Sequence, residues 1–350
     1  MAANPQTYGS PAGRINIVKG ETLAHAVPVE VLALGCTMKQ MPKNEGDNVI
    51  YRRWVPYGGA TTNANTANRW SVSAAAHITT EGVTPNADTL TPQDVAVTLQ
   101  QYAALYSYTD RAADLYEDDI PDEMKTQLGE RMGLVREMVR YGALKGCTNA
   151  FYSGGTTRLT VVNVLTLNFL RKIAKGLLAN HAKMKNKVLS ASPNYDTSAV
   201  EAGFLVFCHT DCEPDIRDIA GFIPVAKYGQ KSAINEYEIG TVERFRFIGS
   251  PELAPYADAG GSAVTNNLVY TTASSACDVY PVIVMGMDAC FDVALRGSKS
   301  FDLSVLPPSQ KDKSDILGQR GYVGAKFYSA ALVVNNGWMA VGEVGVTSIS

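Results

Sequence analysis

Between residues 118 and 147 the chain carries its clearest helical signal, and the length of that signal constrains the rest of the fold. Asp118 and Asp119 are both residue types that cap a helix N-terminus, and Pro121 fits the first turn. Carboxylates from Glu117 to Glu123 sit at the positive end of the helix dipole, while Arg136, Arg140 and Lys145 lie toward the negative end. Ile120, Met124, Leu128, Met132, Val135 and Val139 recur at steps of three and four, which predicts one apolar stripe. Gly146 follows as a stop. About 25 residues at about 1.5 Å each give a rod of roughly 37 Å. Such a helix is longer than the globular average.

Around this helix the chain divides by texture. Residues 1–47 read as an extended arm punctuated by Pro5, Gly9, Pro11, Gly13, Pro28, Pro42 and Gly46, with one short helical candidate at Ala24–Leu34. Such a segment buries too little to order itself and needs a surface to lie on. Residues 48–112 read as a long hairpin. Asn48–Val55 forms one limb, Asp94–Tyr108 the other, and the polar stretch Ala60–Ala67 forms its tip. A free hairpin of this kind is marginally stable. Thr166–Met184 offers a second helix capped by Thr166 or Asn168, with Phe169, Leu170, Ile173, Leu177 and Leu178 on its apolar face. From Pro193 the texture is mixed α/β. Gly203–His209 is a buried type of strand, Glu213–Ile219 a short helix, and Ile239–Phe247, Asn267–Thr271 and Val279–Met285 are further strands. A long polar break from Lys299 to Gly318 precedes the strands Tyr322–Val334 and Trp338–Val344, which Asn335-Asn336-Gly337 should join as a hairpin.

At 350 residues, 46% hydrophobic and 19% charged, the chain has the means for about two domains and is no disordered polymer. Its longest apolar run, Tyr280–Met287, contains a proline and is too short to span a bilayer. The polar opening Met1–Gly13 reads as no secretion signal, so synthesis in a cytoplasm is expected. A net charge of −3 argues against phosphate binding by the chain as a whole and permits dense packing of like copies. Lys172, Lys175, Lys183, Lys185 and Lys187 read as the solvated face of a helix.

No reaction is legible. The densest ligand set is Cys208, His209, Asp211, Cys212 and Glu213, but a structural zinc site usually needs a second ligand pair, which the other cysteines do not supply. A turn and helix start after a buried strand accounts for the same residues. The six cysteines are irregularly spaced and read as buried, reduced thiols. Nucleophile motifs, metalloprotease histidine spacing and phosphate-cradling glycine loops are all missing. No catalytic, cofactor-binding or metal residue is therefore assigned. Tyr51, Arg52, Arg53, Trp54, Tyr57, Arg69 and Trp70 are instead candidate inter-subunit contacts, being the residue types that interfaces favour. The alternative is a local aromatic cluster under the hairpin.

Several stretches carry a family resemblance. Thr80-Glu81-Gly82-Val83-Thr84-Pro85, then Val95–Asp119 with Tyr108-Thr109-Asp110, resemble the major capsid proteins of podovirus-type tailed phages related to coliphage N-four. So do Glu238–Phe247, Ser250–Pro255 and Asp315–Gly324, in the same order. Residues 1–40 and 192–202 fall outside the pattern. The resemblance implies an α+β chain with the HK97-like capsid fold. Its parts would be an N-terminal arm (1–47), an extended β-hairpin loop (48–112), a peripheral domain with a long spine helix (113–190, helix 118–147), an axial α/β domain (191–300), and return strands of the peripheral domain (301–350). It further implies a non-enzymatic subunit that self-assembles as hexamers and pentamers into an icosahedral shell around double-stranded DNA, touched weakly and non-specifically. Decoration or cement, scaffolding and portal proteins are the implied partners, with no membrane. The implied location is the virion, assembled in the host bacterial cytoplasm. No motif marks a Lys–Asn crosslink at Lys39 or Lys43. Competing readings are an encapsulin-like compartment shell, a tail or decoration protein, and a metal-dependent enzyme using Cys208, His209 and Cys212.

Overall fold

The computed structural model of the protein describes residues 27–58, 69–115, 119–185, 202–228, 233–262, 267–269, 276–296, 301–311 and 315–349. In chain order these build β1 (Thr37–Met41), β2 (Asn48–Trp54), β3 (Pro92–Thr98), β4 (Gln100–Thr109), α1 (Asp110–Leu115) and α2 (Ile120–Lys145). There follow β5 (Ala150–Tyr152), α3 (Leu167–Ala179), β6 (Phe204–Cys208), α4 (Glu213–Arg217), β7 (Ile223–Pro224), β8 (Glu238–Val242) and β9 (Phe245–Gly249). The last strands are β10 (Tyr280–Met285), β11 (Cys290–Leu295), β12 (Asp302–Leu306), β13 (Arg320–Val333) and β14 (Met339–Val344).

Two sheets carry the body, and the pair β2–β3 stands apart from both. A seven-stranded sheet runs β5-β14-β10-β6-β9-β8-β7. Its central strands are buried along their whole length, because both faces are covered. Phe204, Val206, Val282, Val284, Ala340 and Val344 point toward α3, whose Phe169, Leu170, Ile173 and Leu177 fill that side. Their strand neighbours Leu205, Phe207, Ile283, Met285, Met339 and Val341 point the other way, toward Tyr141 and Leu144 of α2. A five-stranded sheet is organised by the 14-residue β13. The first part of β13 lies between β4 and β12, and its last part pairs with β11, which in turn takes β1 as a parallel neighbour.

The helix α2 matches its expected span and joins the two cores. Asp119 caps it by accepting the Asp122 amide at 3.2 Å, and Pro121 sits in the first turn. Its buried residues do not keep to one stripe. Leu128 and Met132, with Met124 and Val135 beside them, cover Tyr108, Val323, Ala325 and Phe327 of the five-stranded sheet. Farther along, Glu137, Tyr141 and Leu144 are buried instead. At roughly 100° per residue, these lie roughly 180° around the axis from Leu128. The helix therefore buries one face in its first half and the opposite face in its second, so Val139 does not continue the stripe. Arg140, placed by sequence as a cation near the helix end, is buried. Its guanidinium bonds Asp292 Oδ2 through Nε and Nη2 at 2.9 and 2.6 Å, and Glu137 Oε2 at 3.3 Å.

Several expectations need correction. Residues 27–47 are no free arm. Val31, Leu32 and Cys36 are core residues, β1 is a sheet strand, and helix in Ala24–Leu34 is limited, among the described residues, to one 3-10 turn at Leu32–Leu34. The amides of Val31 and Leu32 donate to Glu137 Oε1 at 2.7 Å each rather than to a helix of their own. The hairpin pairs only 48–54 with 92–98, and β4 leaves it to pair with β13 over ten residues. Ile239–Phe247 is two strands, β8 and β9, joined by a tight turn with Glu243 at φ +48°. Thr241 and Arg246 are buried there, and Arg246 grips Glu238 at 2.7 and 2.9 Å. The polar break 299–318 contains β12.

The Asn335-Asn336-Gly337 hairpin does not form. Asn335 Oδ1 accepts the Gly337 amide, the chain makes a 3-10 turn at Asn336–Trp338, and β14 enters the seven-stranded sheet between β5 and β10. The return strands 301–350 are thus split between the sheets. β11, expected in the axial region, joins the five-stranded sheet, while β5 and α3, expected in the peripheral one, pack with the seven-stranded sheet. The lysine cluster is not one helix face: Lys172 and Lys175 lie on α3, whereas Lys183 and Lys185 follow it in a segment without regular secondary structure. The expected loop tip 60–67, Lys187, Asp118 and the segment 192–201 lie outside the described residues.

Candidate assembly surface

The pair β2–β3 alternates strictly, and its two faces differ. Val49, Tyr51 and Val97 turn toward the body and pack with Met41, Val293, Phe291 and Ala330. Tyr51 meets Phe291 edge-on at 5.1 Å between ring centroids, so its aromatic surface is already used within the chain. Arg53, on the same side, bonds the Gln93 side chain at 2.8 Å and is half-buried. The opposite face carries Ile50, Arg52 and Trp54 beside Ala96, Asp94 and Pro92, all exposed. Arg52 forms a two-bond pair with Asp94 at 2.7 and 2.8 Å, which leaves Ile50 and Trp54 as the free apolar groups of that face.

Beyond β2 the exposure becomes continuous. Tyr57 lies 5.9 Å from His77 and is exposed, as is Trp70, while Arg69 is half-buried. From Ser71 to Thr91 every residue is exposed, including Val72, Ile78, Val83 and Leu90. Ile78 keeps 79% of its surface and Leu90 75%. Sequence reasoning missed these four; the available signal was a scatter of apolar residues in a polar stretch with neither helical nor strand period. Of the seven contacts read from the sequence, Trp54, Tyr57 and Trp70 are open surface, Arg52 and Arg53 are held by neighbours, Arg69 is half-buried, and Tyr51 is packed inward.

The densest ligand set proves to be a strand end and helix start. Cys208 and Cys212 are wholly buried in the α3-side core, where burial pushes the Cys208 thiol up to about 12 and the Cys212 thiol well above its ordinary value. Thiols held protonated are poor nucleophiles and poor ligands. His209 faces Tyr280 instead and accepts the Asp211 amide at 3.1 Å. Among the described residues, no three His, Cys, Asp or Glu side chains gather as metal ligands. A cleft of about 740 Å³ near the start of α3 is lined by Ser153, Asn163, Thr166, Asn168 and Lys172 among others, with no acid, histidine or thiol in its described lining. No described helix is long and apolar enough to cross a membrane.

No family model matches the chain. Its backbone superposes on the capsid of Cyanophage Pam1 with a TM-score of 0.64, at 15% identity over 97% of this chain and 98% of the other. The capsid of Ralstonia phage GP4 gives 0.64 at 13% identity, with both chains covered in full. This is the HK97-like capsid fold. The spine helix and extended loop that the sequence resemblance implies would fall on α2 and on the β2–β3 pair. By sequence the chain is similar to the major capsid protein of Pseudomonas phage KPP21, 20% identical over 262 residues. That match covers 69% of this chain and spans 65% of the relative's length. These likenesses do not single out the coliphage N-four-like group among capsid folds.

Proposed function

We propose that the chain is the major capsid protein of a tailed phage, a structural and non-catalytic subunit of the head shell. The observation that carries this reading is the stretch from Ser71 to Thr91, in which no residue is buried. Twenty-one residues held with their apolar groups in water gain little burial from the described chain to offset the entropy of ordering. A neighbouring copy laid against Trp54, Trp70, Ile78 and Leu90 would supply that burial. Surfaces of this kind, aromatic and aliphatic with paired charges between, are what subunit contacts use. Hexamers and pentamers closing into a shell around double-stranded DNA follow from the same reading. So do a place in the virion after assembly in the host cytoplasm, and docking of scaffolding, decoration and portal proteins.

The test is size-exclusion chromatography with negative-stain imaging of the expressed chain, alone and with its scaffold. Closed icosahedral shells, or capsomers of six and five, are expected. Monomers under every condition would sink the reading. Shells filled with enzyme cargo instead of DNA in infected cells would point to a compartment protein, and trimers or tubes to a tail or decoration protein.

A further inference from the structure

We infer that Cys36 and Cys290 form a disulfide when the folded chain meets a small oxidant, stapling the N-terminal segment to β11. Thr37 pairs with Phe291 at the start of the parallel β1–β11 ladder, so Cys36 and Cys290 are the next pair back in that register. Neighbouring strands lie about 4.8 Å apart. That spacing falls within the range of roughly 4.4–6.8 Å between Cα atoms that a disulfide spans. The two sulfurs approach to 2.7 Å, far closer than unrelated buried thiols pack. The backbone cannot easily retreat from this approach. A methyl group on Gly35 would come within 2.4 Å of Met285 Sδ, so this stretch is pressed onto the seven-stranded sheet.

The surroundings suit the chemistry. Cys290 is fully buried with its sulfur against that of Cys36, placed to attack once Cys36 is oxidised. Cys36 keeps 7% exposure and is the sulfur a small molecule reaches first. The Lys185 ammonium donates to the Gly35 carbonyl at 2.8 Å, next to Cys36 in the chain. With hydrogen peroxide as oxidant, the Cys36 thiol loses its proton and the thiolate attacks one peroxide oxygen; the O–O bond breaks, leaving a sulfenic acid and a hydroxide that takes up the lost proton as water. The Cys290 sulfur then attacks the Cys36 sulfur, the S–O bond breaks, and hydroxide leaves with the Cys290 proton as a second water. Two S–H groups are oxidised to one S–S bond, and one peroxide is reduced to two waters.

The bond would close a loop between residues 254 positions apart in sequence. Long loops are where a crosslink most restricts the unfolded chain. The inference concerns the folded chain and goes beyond assembly, so it stands or falls separately from the capsid reading. Reduced protein is treated with hydrogen peroxide, denatured, and labelled with N-ethylmaleimide. Untreated chain should take six labels, one for each cysteine, and treated chain four, with peptide mapping linking Cys36 to Cys290. The oxidised chain should also melt roughly 5 °C or more above the reduced one. Cys36→Ser and Cys290→Ser should each abolish the loss of label and the rise. Six labels after treatment, a link between another pair, or Cys36 found as a sulfinic acid without a link would each overturn the assignment. An unchanged melting point with the bond formed would overturn the stapling. The wild-type mapping decides even where a variant fails to fold.

Discussion

Glu137 is a carboxylate with no solvent exposure, and its two oxygens serve different parts of the molecule. Oε1 takes both amides of Val31 and Leu32, while Oε2 faces Arg140, which also holds Asp292 on β11. The N-terminal segment, the spine helix and the five-stranded sheet meet at this one side chain. Removing one partner of a buried ion pair strands the rest, at a cost of about 3–5 kcal/mol. Glu137→Ala is therefore expected to lower the unfolding free energy by about that amount in denaturant titration, and to open residues 27–36 to proteolysis first. A second residue-scale prediction concerns the thiols. Burial lifts Cys147 to about 11 and Cys208 to about 12, from an ordinary 9.0. A raised folded value means stability is fully present below the unfolded value and is lost as pH climbs toward the folded one. Unfolding free energy should thus fall between about pH 9 and pH 12, and Cys208→Val should make that fall shallower. An equal slope in the variant would show that the thiol does not contribute.

The spine helix is the element whose role changes most once its packing is known. An amphipathic stripe predicts a helix lying on one surface. This helix instead turns its buried face by half a revolution along its length, with Leu128 in one core and Leu144 in the other. Each truncation to alanine should cost about 2–5 kcal/mol. The two should differ in where protection is lost. Hydrogen exchange should quicken in β4 and β13 for Leu128→Ala, and in β10 and β14 for Leu144→Ala. The same pattern for both variants would mean that the helix serves a single core. Two charged residues hide this switch from the sequence. Glu137 and Arg140 lie on the second buried face, and their burial is tolerable only because Asp292 arrives from more than a hundred residues away.

On the scale of the molecule, the described residues form a two-sheet body, and the stretch from Ser71 to Thr91 stays exposed beside it. Surface substitutions away from packed features usually change stability by less than about 0.5 kcal/mol. The pair Ile78→Ser and Leu90→Ser should therefore leave the melting point of the isolated chain unchanged while sharply lowering the yield of assembled particles. Unfolding of the body by these changes would place that stretch within the core after all. Normal assembly would show that the neighbour binds elsewhere.

Local chemistry was enough to specify much of this protein. The caps and length of the spine helix, the start of α3 at Thr166, the buried strand after Gly203 and the body ends of a hairpin all follow from residues within a turn or two of one another. Partnership over distance is another matter, and only the tertiary structure decided it. Asn335-Asn336-Gly337 has the composition of a hairpin turn, yet β14 finds better burial between β5 and β10 than beside β13. Val31 and Leu32 look like arm residues until Glu137 receives their amides. The candidate contacts show the same division. Sequence marked an aromatic and arginine-rich edge, but whether Tyr51 faces a neighbour or Phe291 depends on strand register, which no single strand contains. Alternation gives each strand two faces. The core chooses between them.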